Sequence, residues 1–176
     1  MLMVITYFAL AGCEKKDEPK LPITEDSTFT FAAIGHQWIM GYDTAMPKVF
    51  DTDTLTIVSC PESNTWQMND SSLMYCSPNE FKLEKEGQFF TVCMANAKVN
   101  DEYEGFAGNC KVVDIDIPVT VPAGTFNCFK VDRSVNGEYR ETYYVNLQFG
   151  LIKNENAEYI CYLVSTNFHM LAPQQK

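Results

Sequence analysis

Between Lys111 and Thr125 the chain reads VVDIDIPVTVPAG, with Val113, Ile115, Ile117, Val119 and Val121 at every second position against Asp114, Asp116, Pro118 and Thr120. A period of two predicts a β-strand with one buried face. Pro118 has no N–H to give to a ladder, which places this strand at an edge or a bulge. A turn at Pro122-Ala123-Gly124 leads into a strand over 125–133, and Asn136-Gly137 is a strong two-residue hairpin signal into a strand over 139–149, where Val145, Leu147 and Phe149 alternate with Asn146 and Gln148. After Gly150, short strands over 151–153 and 159–165 complete an antiparallel meander.

The first half repeats the pattern less sharply. Segments 29–33 and 37–42 are apolar and aromatic, 55–60, 65–68 and 73–76 are short strand candidates, and Gly87-Gln88 links 81–85 with 89–94. The acidic stretch 100–108 reads as a loop or a short helix. No segment of about a dozen residues sustains helical periodicity. The expectation is an all-β domain with minor helix, a single strongly twisted antiparallel meander sheet curling toward a half-barrel.

The first thirteen residues obey a different rule. Met1 to Gly12 carry no charge, and Leu10-Ala11-Gly12-Cys13 is followed at once by Glu14-Lys15-Lys16-Asp17-Glu18. A membrane-spanning helix needs about 20 apolar residues, so the run is too short to span. The tetrapeptide resembles the lipobox of bacterial lipoproteins, which implies cleavage before Cys13 and diacylation of its sulfur. No Lys or Arg precedes Cys13, so the true start codon is expected upstream. Two or three acyl chains at about 0.8 kcal/mol per buried methylene would anchor the chain firmly to membrane lipid. The expected organisation is a signal over 1–12, a lipidated cysteine and extended tether over 13–27 holding Pro19 and Pro22, a β domain over 28–170, and a disordered C-terminus over 171–176. The Cys-Glu-Lys-Lys-Asp-Glu opening also resembles export signals of Bacteroidetes-type lipoproteins, which implies the outer membrane, on its periplasmic or its surface face.

Composition narrows the partners. The net charge is -10, and residues 14–20 are balanced, so the excess sits on the folded part. Phosphate neutralisation needs clustered Lys or Arg, and none is present, which argues against nucleic acid. Lipidation of Cys13 leaves Cys60, Cys76, Cys93, Cys110, Cys128 and Cys161, an even set that suits disulfides in an exported protein. Pairing in chain order is the preferred arrangement, with several buried free thiols as the alternative. There is no Cys-x-x-Cys, and His36 and His169 stand at no ligand spacing, so no metal and no cofactor are expected.

A second resemblance rests on two segments. Ile34-Gly35-His36-Gln37-Trp38, preceded by Phe31, resembles the Gly-x-x-Trp opening strand of a broad set of cell-envelope lipoproteins. Val119-Thr120-Val121-Pro122-Ala123-Gly124-Thr125-Phe126, then Tyr143-Tyr144, then Gly150-Leu151-Ile152-Lys153, resembles their "VPAGTF … YY … GLIK" signature. These proteins are similar to the DUF3108 and TapB-like groups and, more distantly, to the LolA/LolB half-barrel carriers. The resemblance implies a curved antiparallel sheet and an envelope location, and no established chemistry. Where the family has Pro-Gly-x-Gly-Leu, this chain has Asn146-Leu147-Gln148-Phe149-Gly150, expected to be rebuilt as plain strand.

The residues argue against catalysis. Asp51 with Asp53, Asp114 with Asp116 and Glu138 with Glu141 are explained as solvated faces, and no Gly-x-Ser-x-Gly, phosphate loop or His-Glu-x-x-His occurs. Twelve Phe, nine Tyr and eight Met exceed what a simple sheet needs, so a hydrophobic ligand on a concave face is the first expectation, with Trp38, Tyr143 and Tyr144 as candidate ligand-face aromatics. Tyr143 and Tyr144 should point to opposite faces, with at most one of them buried. A module that docks an envelope protein or a glycan is the alternative.

Overall fold

The computed structural model describes residues 28–44, 50–106 and 108–167. The expected signal, the tether with Cys13, and the stretch 168–176 lie outside the described residues. Twelve strands follow in chain order: β1 (Gln37–Thr44), β2 (Phe50–Glu62), β3 (Thr65–Met68), β4 (Leu73–Cys76), β5 (Glu80–Lys85), β6 (Gln88–Met94), β7 (Glu102–Gly105), β8 (Gly108–Val121), β9 (Gly124–Val135), β10 (Glu138–Asn146), β11 (Gly150–Asn156) and β12 (Tyr159–Thr166). They form one antiparallel sheet in the order β6-β5-β4-β3-β2-β1-β12-β11-β10-β9-β8-β7. Each strand therefore pairs with its chain neighbour, except that β6 and β7 are the two edges and β1 is joined to β12. The result is a nearly closed up-and-down barrel with an unsealed seam between β6 and β7. The all-β expectation holds, the curl goes beyond a half-barrel, and no helix occurs among the described residues.

Alternation along the strands supplies the interior. Trp38 and Met40 on β1, Val145 on β10, Ile152 on β11 and Leu163 on β12 point inward and are buried. A segment before β1 fills one mouth. Phe29 donates its N–H to Pro78 O at 3.0 Å and Thr30 to Leu147 O at 3.0 Å, so the chain enters between the β4–β5 and β10–β11 turns. Phe31, only 1% exposed, then stands edge-on to Trp38 and Phe81, with centroids 6.0 and 5.2 Å away. Odd-numbered strands begin at this closed end and even-numbered strands finish there, so both ends of the described chain meet at it. Segment 29–33, expected as a strand, is instead this extended plug.

Several local readings are corrected. The 100–108 stretch contains strand β7, which pairs with β8 over Gly108 to Lys111. Val113 is 39% exposed, because irregular register between Val112 and Ile117 changes the phase of β8. Cys110 and Val112 face inward before that bulge, and Val119 and Val121 after it. Pro118 lies at the end of the bulge, beyond the reach of the β7 ladder, so its missing N–H breaks no pairing among the described residues. The strand expected over 139–149 ends at Asn146. There the Asn146 side-chain oxygen accepts from the N–H of Gln148 at 2.8 Å and of Phe149 at 3.1 Å, forming a turn where plain strand was expected. Gly150 follows at φ 75°, and a Cβ there would sit 3.1 Å from the Phe31 ring, so both conformation and space require glycine. Asn136 and Gly137, at φ 52° and 80°, make the expected hairpin turn.

All six cysteines within the described residues are free thiols, which gives the expected pairing no support. Cys60 on β2 is exposed and Cys76 on β4 is buried, two strand spacings or about 10 Å apart along the wall. Cys128 on β9 and Cys161 on β12 stand three strand spacings apart, about 14 Å along the wall, beyond disulfide reach. Cys93 and Cys110 flank the seam on β6 and β8, and each thiol instead faces a carbonyl, Met94 O and Thr91 O respectively. Burial pushes the Cys110 and Cys161 thiols up to about 11 and those of Cys76 and Cys128 up to about 12, and raises Cys93 further. Neutral buried thiols react slowly. A maleimide applied to the native protein at neutral pH is expected to modify Cys60 alone of these six, with the other five labelled only after denaturation, as read by peptide mass mapping.

Candidate functional site

The interior is graded along the barrel axis, and register shows how. Near the closed end Met40 lies opposite Leu163, and Val145 lies opposite Phe129. One layer further, Tyr42 pairs with Cys161, Cys161 with Asn154, Asn154 with Tyr143, and Tyr143 with Val131. At the open end Asn156 pairs with Glu141, Glu141 with Arg133, Arg133 with Cys110, and Cys110 with Tyr103. The wall thus passes from aliphatic through mixed to polar.

Two cavities reflect the gradient. The apolar one measures about 100 Å³ and is bordered by Phe31, Trp38, Met40, Leu55, Met74 and Leu83. Ligand pockets for drug-sized molecules start at about 300 Å³, so this space is smaller than such a pocket and gives the expected hydrophobic binding face no support. Trp38, at its border, is 6% exposed, and its indole N–H donates to Phe149 O at 2.7 Å.

The second cavity, about 210 Å³, is a chamber at the open end bordered by Arg133, Glu141, Tyr143, Tyr159, Phe106 and Lys85. Glu141 organises it. Its Oε1 accepts from Arg133 Nε at 2.5 Å and from the Tyr143 hydroxyl at 2.5 Å, and its Oε2 accepts from Asn154 Nδ2 at 3.2 Å. Burial alone would raise the Glu141 carboxyl, but the bonds from Tyr143, Asn154 and Arg133, with the Arg133 charge, hold it below the usual carboxylate range. Burial and the Glu141 carboxylate together push the Tyr143 hydroxyl well above its ordinary value, so it stays a proton donor.

Arg133 Nη1 also donates to Phe106 O at 2.7 Å, pinning the tip of the β7–β8 hairpin. Phe106 packs edge-on against Phe90 at 5.1 Å and under the Lys85 ammonium at 4.2 Å, and the Tyr103 hydroxyl donates to Val92 O at 2.9 Å. Side chains, not a ladder, hold the seam. Tyr159 separates the chamber from a shallower recess of about 380 Å³ bordered by Asp43, Thr44, Asn156 and Glu158.

Of the candidate aromatics, only Tyr143 reaches the chamber. Tyr144 points to the opposite face, as expected, and is the one buried member of the pair, at 8% exposed against a half-buried Tyr143: its hydroxyl donates to Glu155 at 2.7 Å, and Lys153 lies 5.3 Å from its ring centre. Glu141, expected on a solvated face, is the buried centre of the cluster. Arg133, Asn154, Tyr159 and Phe106 were not singled out by sequence. Their only advance signal was two opposite charges in the interior phase of neighbouring strands. His36 accompanies Phe31 O at 2.6 Å beside the plug, His169 lies outside the described residues, and no group of three metal-ligating side chains converges among the described residues.

No family model matches the chain, and no curated protein matches it. Two solved structures share its fold. One is a Bacteroides fragilis protein described as exported and of YmcC-like fold, with a TM-score of 0.54 and 12% identity; it covers 81% of this chain and 100% of its own. The other is a Parabacteroides distasonis protein described as a lipoprotein, with a TM-score of 0.53, 14% identity and the same coverage.

Proposed function

We propose that this chain is an exported, non-catalytic lipoprotein of the bacterial outer membrane, a binding module tethered by the closed end of its barrel and presenting the open-end chamber away from the lipid. One observation carries the reading: Phe29 and Thr30 enter at the closed end, so the described chain begins at the end of the barrel opposite the chamber. Residues 13–27 would reach roughly 50 Å when extended, enough to hold the barrel clear of the headgroups. The descriptions of the two structural neighbours, one exported and one a lipoprotein, support the envelope location. The small apolar cavity and the polar open end favour recognition of an envelope protein or glycan over carriage of a hydrophobic molecule.

Cys13→Ser is expected to abolish palmitate labelling and to move the protein from the membrane to the soluble fraction, with the thermal transition of the barrel unchanged. A wild-type protein that takes up no palmitate and fractionates as soluble would overturn the anchor.

A further inference from the structure

We propose that the open-end chamber binds one neutral, hydroxyl-rich ring, either a free monosaccharide or the terminal sugar of a glycan. This deepens the binding-module reading and rests on it only for where the ligand is met; the chamber's chemistry stands without the anchor.

Charge comes first. Glu84, Lys85, Arg133 and Glu141 border the cavity, two of each sign, so it is balanced within a chain of net charge -10. A lone anion or cation would meet a like charge beside every opposite one. A zwitterion such as an amino acid would need Arg133 and Glu141 apart, and they are bonded to each other at 2.5 Å with side chains only 13% and 9% exposed. Parting them leaves each charge buried without its partner.

The spare hydrogen-bonding capacity is of the kind hydroxyls satisfy. Arg133 commits Nε to Glu141 and Nη1 to Phe106 O, which leaves the Nη2 donors of its planar fork. The Tyr159 hydroxyl borders the cavity and has no hydrogen-bond partner among the described residues. The Arg133 donors and the Tyr159 hydroxyl, which both donates and accepts, suit hydroxyl partners, and Tyr143 and Tyr159 border the same space with ring carbons for the C–H face of a sugar. At about 210 Å³ the space is below that of drug-sized pockets, which fits one ring and not two.

The test is saturation-transfer NMR on the full chain with glucose, galactose, mannose and N-acetylglucosamine, their methyl glycosides, and alanine and butyrate as comparison probes. At least one sugar is expected to receive saturation, and Tyr159→Phe is expected to weaken it about tenfold with the thermal transition retained. Transfer to a methyl glycoside as well as to its free sugar identifies a glycan terminus; transfer to the free sugar alone identifies a monosaccharide. The proposal is overturned if folded protein gives transfer to no sugar of the panel, if alanine or butyrate binds in their place, or if Tyr159→Phe and Tyr159→Ala both bind as the parent does. Anchoring is read separately by the Cys13→Ser fractionation, so neither failure imitates the other.

Discussion

Phe31→Ala is expected to cost about 3–5 kcal/mol and to lower the thermal midpoint by roughly 10 °C or more, the largest effect of any single truncation in this fold. Phe31 meets Trp38 and Phe81 edge-on, its ring lies against Gly150, and it borders the apolar cavity of about 100 Å³, so truncation joins a new void to an existing one. The surrounding strands are tied into ladders and have little freedom to collapse onto the gap. Thermal unfolding followed by near-UV circular dichroism checks this; a loss below about 1 kcal/mol would mean that the segment is dispensable trim and not a plug. Phe29→Ala, at the rim of the same mouth, is expected to cost less.

Glu141→Leu is expected to cost about 3–5 kcal/mol, because it leaves Arg133 buried without its carboxylate and removes the acceptor of Tyr143 and Asn154. The double variant Arg133→Met/Glu141→Leu is expected to regain most of that, since an apolar pair of similar volume removes the desolvation cost along with the attraction. The pH dependence has a definite sign. Glu141 is held below its unfolded value, and so is Glu155, where burial is outweighed by hydrogen bonds from Lys153 and Tyr144 and by the Lys153 charge. Their contribution is therefore complete above the unfolded carboxylate value of about 4.3 and is lost as pH falls through the lower folded values. Urea midpoints measured from pH 7 downward are expected to hold level to about pH 5 and then drop, and Glu141→Gln is expected to show a shallower drop from a lower starting point. An acid limb as steep in Glu141→Gln as in the parent would remove Glu141 from this role.

Most of the wall was legible because two-residue periodicity and turn chemistry act locally. The hairpin at Asn136-Gly137, the turn at Pro122-Ala123-Gly124 and the run of β12 needed no partner to be recognised. The polar chamber was not legible, and β10 shows why. A strict register from the 136–137 turn would set Arg133 opposite Arg140, two like charges. An irregularity between Tyr139 and Glu141 instead brings Glu141 opposite Arg133. Nothing in the local sequence announces that one-residue slip, so Glu141 reads as solvated until the neighbouring strand is placed. The bulge in β8 hides the phase of Val113 in the same way. The disulfide expectation finds no support for a related reason: parity counts cysteines, whereas bridging depends on which strand each occupies.

The chain-order arrangement has a consequence for how the molecule comes into being. Ten of its eleven strand pairings join immediate successors and can form as each hairpin emerges, but the eleventh joins the first strand to the last. Until β12 has been made, β1 carries one bare edge and no strand ladder links the two halves, which are joined by the 95–101 connection and the seam side chains. The finished cylinder cannot exist on a partly synthesised polypeptide, and a precursor stripped of its final hairpin would remain an open ribbon.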